Sequence, residues 1–164
     1  MKKALLIISI LFVALTAKAQ WGIGGGFNAE FFESYNSLRL APELCYCIPD
    51  TPFSLGFAAI FGFGQDKTEG TPFTLEEITF SPYFRYEFHY IGDFAFFVDL
   101  CGDVNLYGPE GFDVGFAPGI SYCFNDHWSA EFSYGWLGYE QFDEKGFSAS
   151  MDASTTKLRI YYSF

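Results

Sequence analysis

Ionisable side chains recur on every second residue of several strand-like stretches, and that spacing is the chain's first sign of chemistry. Glu77, Thr79, Ser81, Tyr83, Arg85 and Glu87 alternate with Ile78, Phe80, Pro82, Phe84, Tyr86 and Phe88, so one face of a strand is polar and the other apolar. The same phase sets Asp99 and Asp103 against Phe96, Val98 and Leu100, and Lys157 and Arg159 against Leu158 and Ile160. Glu30, Arg39, Glu43, Asp113 and Glu131 complete a set of eight acids and four bases. Charges turned to one enclosed side must be paired or hydrated, so the set reads as a network of ion pairs and hydrogen bonds. Its excess of acids also suits a narrow cation-preferring path, which stands as the alternative.

Other chemistry finds less support. His89 and His127 stand beside short turns, where no nucleophile and base can be grouped, so no catalytic residue is assigned and the chain is not read as an enzyme. Cys45, Cys47, Cys101 and Cys123 all fall on the polar face. Two residues apart on a strand, Cys45 and Cys47 are badly spaced for a disulfide. No zinc spacing is present. The thiols read as small fillers, with a disulfide, or a metal site using His89 or two thiols, as lesser readings. No metal or cofactor is assigned.

The elements that must position these groups announce themselves by their endings. Tyr46-Cys47-Ile48, Tyr86-Glu87-Phe88, Tyr122-Cys123-Phe124 and Tyr162-Ser163-Phe164 close four strand-like stretches, with the tyrosines 40, 36 and 40 residues apart. A unit of that length is a β-hairpin, so four units give eight strands. The spacing predicts strands over 21–33, 37–48, 53–65, 75–89, 94–105, 112–124, 128–140 and 153–164. Short turns alternate with longer loops, the longest being 141–151. Pro42, Pro82 and Pro118 each stand four residues before a tyrosine, inside a strand, where proline cannot donate to a ladder.

Lys2 and Lys3, the apolar run from Ala4 to Ala14 and Ala17-Lys18-Ala19 read as a cleaved secretory signal over residues 1–19, leaving one domain over 20–164. Cleavage would remove three lysines and no acid, leaving six basic and twenty acidic residues, a net charge of −14. Such a chain cannot neutralise phosphates, so nucleic acid is excluded as a partner. Aromatic residues make up 22% of the sequence, yet no stretch after residue 19 has the roughly 18 consecutive apolar residues of a membrane helix. Strands with an apolar side toward lipid reconcile the two facts.

Side-chain size decides which face is inside. Bulky residues crowd one face (Phe53, Leu55, Phe57, Phe61, Phe63), while Ser54, Gly56, Ala58, Gly62 and Gly64 occupy the other. Eight strands enclose a bore just wide enough for side chains to fill, so the small polar face belongs inside. A soluble barrel would reverse this and need a lysine-rich exterior, whereas only Lys67, Lys145 and Lys157 remain after residue 19. The expected fold is therefore all-β, an eight-stranded antiparallel up-and-down transmembrane β-barrel. Tyr46, Tyr86, Tyr122, Tyr162 and Trp128 would form its girdle at the lipid–water level on the short-turn side.

With those elements in place, the chain resembles the small eight-stranded outer-membrane β-barrels of Gram-negative bacteria, of the OmpX/OmpW-like kind. The resemblance rests on the Ala-Lys-Ala-Gln processing site, Ser81-Pro82-Tyr83-Phe84-Arg85-Tyr86, Ala117-Pro118-Gly119-Ile120-Ser121-Tyr122, and a last strand ending in Phe164. It implies a place in the cell outer membrane, a monomer, and assembly by the barrel-assembly machinery, with Phe164 after Leu158, Ile160 and Tyr162 as the assembly signal. The function expected is structural or surface-interacting, around a plugged polar lumen. A narrow channel for small or apolar solutes is the alternative, and a lipid-modifying enzyme the remotest reading. Outer-membrane lipid and lipopolysaccharide are the expected partners. The acidic loops (Glu33, Asp66, Glu69, Glu76, Glu110, Glu140, Asp143, Glu144 and Asp152) read either as a solvated surface or as carboxylates that hold Ca²⁺ or Mg²⁺ and bridge to lipopolysaccharide.

Overall fold

A computed structural model of the chain describes residues 20–31, 33–68, 70–141, 145–151 and 156–164. Residues 1–19, over which a signal segment is expected, lie outside them. The strands, in order, are β1 (Trp21–Phe31), β2 (Tyr35–Cys47), β3 (Phe53–Asp66), β4 (Thr74–Ile91), β5 (Phe94–Cys101), β6 (Val104–Tyr107), β7 (Phe112–Cys123), β8 (Trp128–Ser133), β9 (Trp136–Gln141), β10 (Lys145–Ser150) and β11 (Lys157–Ser163). No helix occurs among the described residues.

β5 with β6, β8 with β9, and β10 with β11 are successive parts of single staves, giving eight. Each stave pairs antiparallel with the next. β1 then meets β11 from Gly22↔Ser163 to Gly25↔Ile160, closing the sheet into an up-and-down barrel. Across this seam Phe164 N–H donates to the Trp21 carbonyl at 3.0 Å, and on the β8 side of β11 Ser163 N–H donates to the His127 carbonyl at 2.7 Å.

Alternation holds along the walls. In β4, Thr79, Ser81, Tyr83 and Arg85 are buried, while Phe80, Phe84 and Tyr86 between them are exposed. The tyrosine endings acquire a structural meaning from the register. Tyr46 is paired directly with Trp21, Tyr86 with Phe53, Tyr122 with Phe94 and Tyr162 with Trp128. Each hairpin unit is thus clasped at the turn end by an aromatic pair, with ring centroids 4.7–5.2 Å apart. Pairs at that separation contribute about 0.5–1.5 kcal/mol beyond their buried area.

Two expectations need correction. The stretch 141–151 is not all loop, since β10 pairs with β9 from Lys145↔Gln141 to Ser150↔Trp136. Its polar composition conceals a strand that takes its ladder from the neighbour. Glu76 is not a loop residue either. The β3–β4 register shifts between Gly62 and Phe63, and this bulge turns Glu76 toward the loop-end mouth of the barrel, where Tyr35 donates to it at 2.6 Å.

The three prolines stand where a ladder lapses. No β3 partner pairs with Ala41 or Pro42. The β4 ladder is interrupted between β5 and β6 opposite Pro82, whose carbonyl still accepts from Gly102 N–H at 3.2 Å. Opposite Pro118 the neighbouring stave breaks between β8 and β9 at Gly135, where φ is +95°, and Tyr134 N–H reaches the Pro118 carbonyl at 3.1 Å. A residue without an N–H costs least where its ladder is already broken.

Candidate functional site

One layer of side chains crosses the inside of the barrel, and five strands supply it. β4 and β5 form one antiparallel pair in which Arg85 lies directly opposite Asp99. The guanidinium binds Asp99 in a fork, Nε to Oδ1 at 2.7 Å and Nη2 to Oδ2 at 2.9 Å. Its other edge takes Glu131 of β8 in a second fork, through Nη1 to Oε1 and Nη2 to Oε2, the latter at 2.8 Å. Arg159 of β11, paired with Glu131 in register, lies 3.3 Å from Glu131 Oε2, 3.4 Å from Asp99 Oδ2 and 3.7 Å from Glu43 of β2. The Tyr161 hydroxyl donates to Glu43. Two cations thus face three carboxyl groups, and the third of these, Glu43, is held by that phenol.

Aromatic rings surround the charges. Phe97 is fully buried, and the Arg85 guanidinium carbon sits 3.7 Å from its ring centroid. Tyr83 and Tyr161 approach to 3.5 Å through their hydroxyls. Each ring lies over a glycine directly opposite on the neighbouring strand: Phe97 over Gly119, Tyr83 over Gly56, Tyr161 over Gly24. A Cβ at any of the three would overlap the ring. The small inward residues are therefore sockets for the large ones. Gly56→Ala should cost about 1–3 kcal/mol in chemical unfolding through overpacking. Gly146→Ala, which has open space around its Cβ, should leave the midpoint unmoved.

The layer separates two cavities. Toward the loops lies one of about 240 Å³, with Arg39, Glu77, Asp103 and Lys157 on its wall. Toward the turns lies another of about 320 Å³, bounded by Cys45, Cys47, Cys123, Glu87 and Ser129. Both fall at or below the lower end of the roughly 300–1,000 Å³ typical of drug-sized ligand pockets. They suit water, ions or very small solutes.

The expected lumen charges thus divide by height. Arg85, Asp99, Glu131, Arg159 and Glu43 meet in the layer. Arg39 and Glu77 pair at 3.0 Å near the mouth, where Arg39 is well exposed, and an exposed pair contributes little. Asp113 accepts from the Asp103 backbone N–H at 2.9 Å on the loop side. Lys157 lines the loop-side cavity, and Glu87 the turn-side one. The side chain of Glu30 lies outside the described set. On the turn side, Tyr90 donates to Glu87 at 2.5 Å. His127 Nδ1 lies 2.9 Å from the Ser163 carbonyl, and its ring stacks on Tyr162. His89 packs near Phe96.

Of the acidic loop set, Glu69, Asp143, Glu144 and Asp152 lie outside the described residues. Asp66 accepts from the Thr68 amide at 2.8 Å and hydroxyl at 2.6 Å, and Glu140 is engaged by Ser148. Among the described residues, no group of three or more His, Cys, Asp or Glu is arranged to hold a metal ion. The four cysteines are free thiols. Alternation places Phe97, Tyr83 and Tyr161 inward but does not reveal that they share one level with Arg85. Phe97 did carry a signal, as a large apolar residue on the polar face of its strand. No family model matches the chain, and no curated protein matches it significantly.

Proposed function

We propose that the protein is an integral outer-membrane barrel whose closed polar lumen serves stability, leaving the loop end to structural or surface-interaction roles. The observation that carries this reading is the exterior. Phe57, Phe80, Phe84, Leu100, Phe116 and Phe132 are all 38–50% exposed on the outward face of successive staves, above a rim of aromatic pairs at one end. Soluble monomers rarely expose so continuous an apolar surface. Lipid solvates it without cost, and the closed ladder leaves no open edge in the hydrocarbon. The rim tyrosines and tryptophans then lie at the headgroup level. The acidic loop end faces outward, where divalent cations link its carboxylates to lipopolysaccharide. The monomer is delivered by the barrel-assembly machinery reading Phe164.

Depth dependence tests this directly. Phe57 and Phe80, whose rings lie 5.6 Å apart, belong near the bilayer midplane. Phe80 is six residues from Tyr86, roughly 20 Å along the strand and about 15 Å along the barrel axis at the usual tilt. Phe57→Arg should destabilise the barrel in lipid vesicles by about 2–4 kcal/mol, and Tyr86→Arg at the rim by about 0–1 kcal/mol. Equal effects at the two depths, or a gain in solubility without detergent from Phe57→Arg, would contradict the lipid face.

A further inference from the structure

We propose that the loop-side cavity is a binding site for a small zwitterion of the aliphatic α-amino acid class, its carboxylate held by Lys157 and Arg159 and its ammonium by Asp103. The cavity encloses about 240 Å³, and the charged layer forms its floor. Most charges on its wall are already engaged. Arg39 pairs with Glu77 at 3.0 Å, Asp99 lies in the Arg85 fork, and Glu43 takes the Tyr161 hydroxyl. Two charges are not. Among the described residues, neither the Lys157 ammonium nor the Asp103 carboxylate has an ion-pair partner, and they do not pair with each other. Asp103 is nevertheless fixed in place, because its N–H donates to the Asp113 carboxylate and its carbonyl accepts from the Asp113 N–H, both at 2.9 Å.

Arg159 points the same way independently. Its side chain is 8% exposed, its ion pairs with Glu131, Asp99 and Glu43 run to 3.3, 3.4 and 3.7 Å, and its Nε has no hydrogen-bond partner. Charge-assisted bonds ordinarily close to about 2.7–2.9 Å, as those from Arg85 to Asp99 do. Arg159 therefore has N–H groups left to give, and a buried donor without an acceptor is costly. Lys157 stands two residues before it on the inward face of β11 and shares the cavity wall. One carboxylate between them meets both cations. A bare anion would also face the acids of the wall (Glu43, Glu77, Asp99 and Asp103), and a bare cation would face Lys157 and Arg159. A molecule carrying one charge of each sign escapes both objections. Ala41, Ala58 and Ala117 line the same wall, leaving room for a short aliphatic side chain. The site needs only the closed lumen and does not depend on where the barrel sits.

The test is saturation-transfer NMR on the folded barrel in detergent, with L-alanine as the probe. Propionate lacks its ammonium and ethylamine lacks its carboxylate, so the three probes separate the two charges on similar short skeletons. Saturable binding of L-alanine is expected, of about millimolar order for so small a ligand. Propionate and ethylamine should each bind at least about tenfold more weakly, through loss of one hydrogen-bonded charge. Lys157→Gln and Asp103→Asn should each weaken L-alanine by a similar factor. Glu87→Gln, on the turn side of the layer, should leave it unchanged, and the boiled-versus-unboiled gel shift verifies that each variant is folded. Propionate or ethylamine binding as tightly as L-alanine, binding that survives the Lys157→Gln/Asp103→Asn pair, or no saturable binding by the folded barrel would each overturn the site.

Discussion

Arg85→Ala should lower the unfolding free energy of the barrel by about 3–5 kcal/mol, the usual consequence of removing one partner from a buried ion network. Arg85 is 4% exposed and fills two carboxylate forks at once, so its loss leaves Asp99 and Glu131 facing each other with Arg159 alone between them. Lysine is a poor substitute, because a point charge cannot serve two planar carboxylates that a guanidinium holds edge-on. The double variant Arg85→Ala/Glu131→Gln should recover part of the loss, since the remaining Asp99 is still within 3.4 Å of Arg159. Urea unfolding in detergent, run as a double-mutant cycle, reads the coupling. An Arg85→Ala barrel as stable as the parent would mean that water, not the guanidinium, satisfies those carboxylates.

Phe97→Ala should cost a comparable amount, about 3–5 kcal/mol, because a fully buried phenylalanine leaves both transfer energy and a cavity behind. Two further losses follow from its position. The ring is the surface on which Arg85 stacks, and a cation–π contact of this kind contributes up to about 2 kcal/mol when desolvated. The ring also fills the socket over Gly119, so removing it opens a void beside a residue with no side chain of its own. That void lies in the layer between the two lumen cavities. Phe97→Ala should therefore produce small conductance steps in planar bilayers that the parent lacks. Phe97→Leu, keeping much of the volume, should lose less stability and remain closed. A loss below about 1 kcal/mol for the alanine variant would show that the layer is loosely packed.

The sequence carried the wall of the barrel better than its contents. Alternation over β4 and the four tyrosine endings placed most of the strands and assigned Thr79, Ser81, Tyr83 and Arg85 to the inner face. Alternation does not assign height. Whether Arg85 meets Glu131, Glu77 or Asp103 depends on the stagger between staves, and the decisive contacts join residues 46, 60 and 118 positions apart. The matching of Phe97 to Gly119 or Tyr83 to Gly56 is invisible for the same reason. Glycine on the inward face was legible, but its opposing ring was not. The bulge that turns Glu76 inward defeats a period-2 reading, because one extra residue exchanges the faces beyond it. The prolines misled in the opposite direction. Each violates strand propensity when one strand is considered, and fits once the lapsed ladder beside it is known.

Heat-modifiability in the isolated outer-membrane fraction tests the central claim most directly. The protein is extracted in mild detergent and run on a denaturing gel without boiling and after boiling. A barrel that spans lipid with every backbone group paired should stay folded in the unboiled lane and migrate apart from the boiled form. A single unshifted band, with the protein recovered in the soluble periplasmic fraction, would contradict the account and leave its apolar exterior to be covered by something other than lipid.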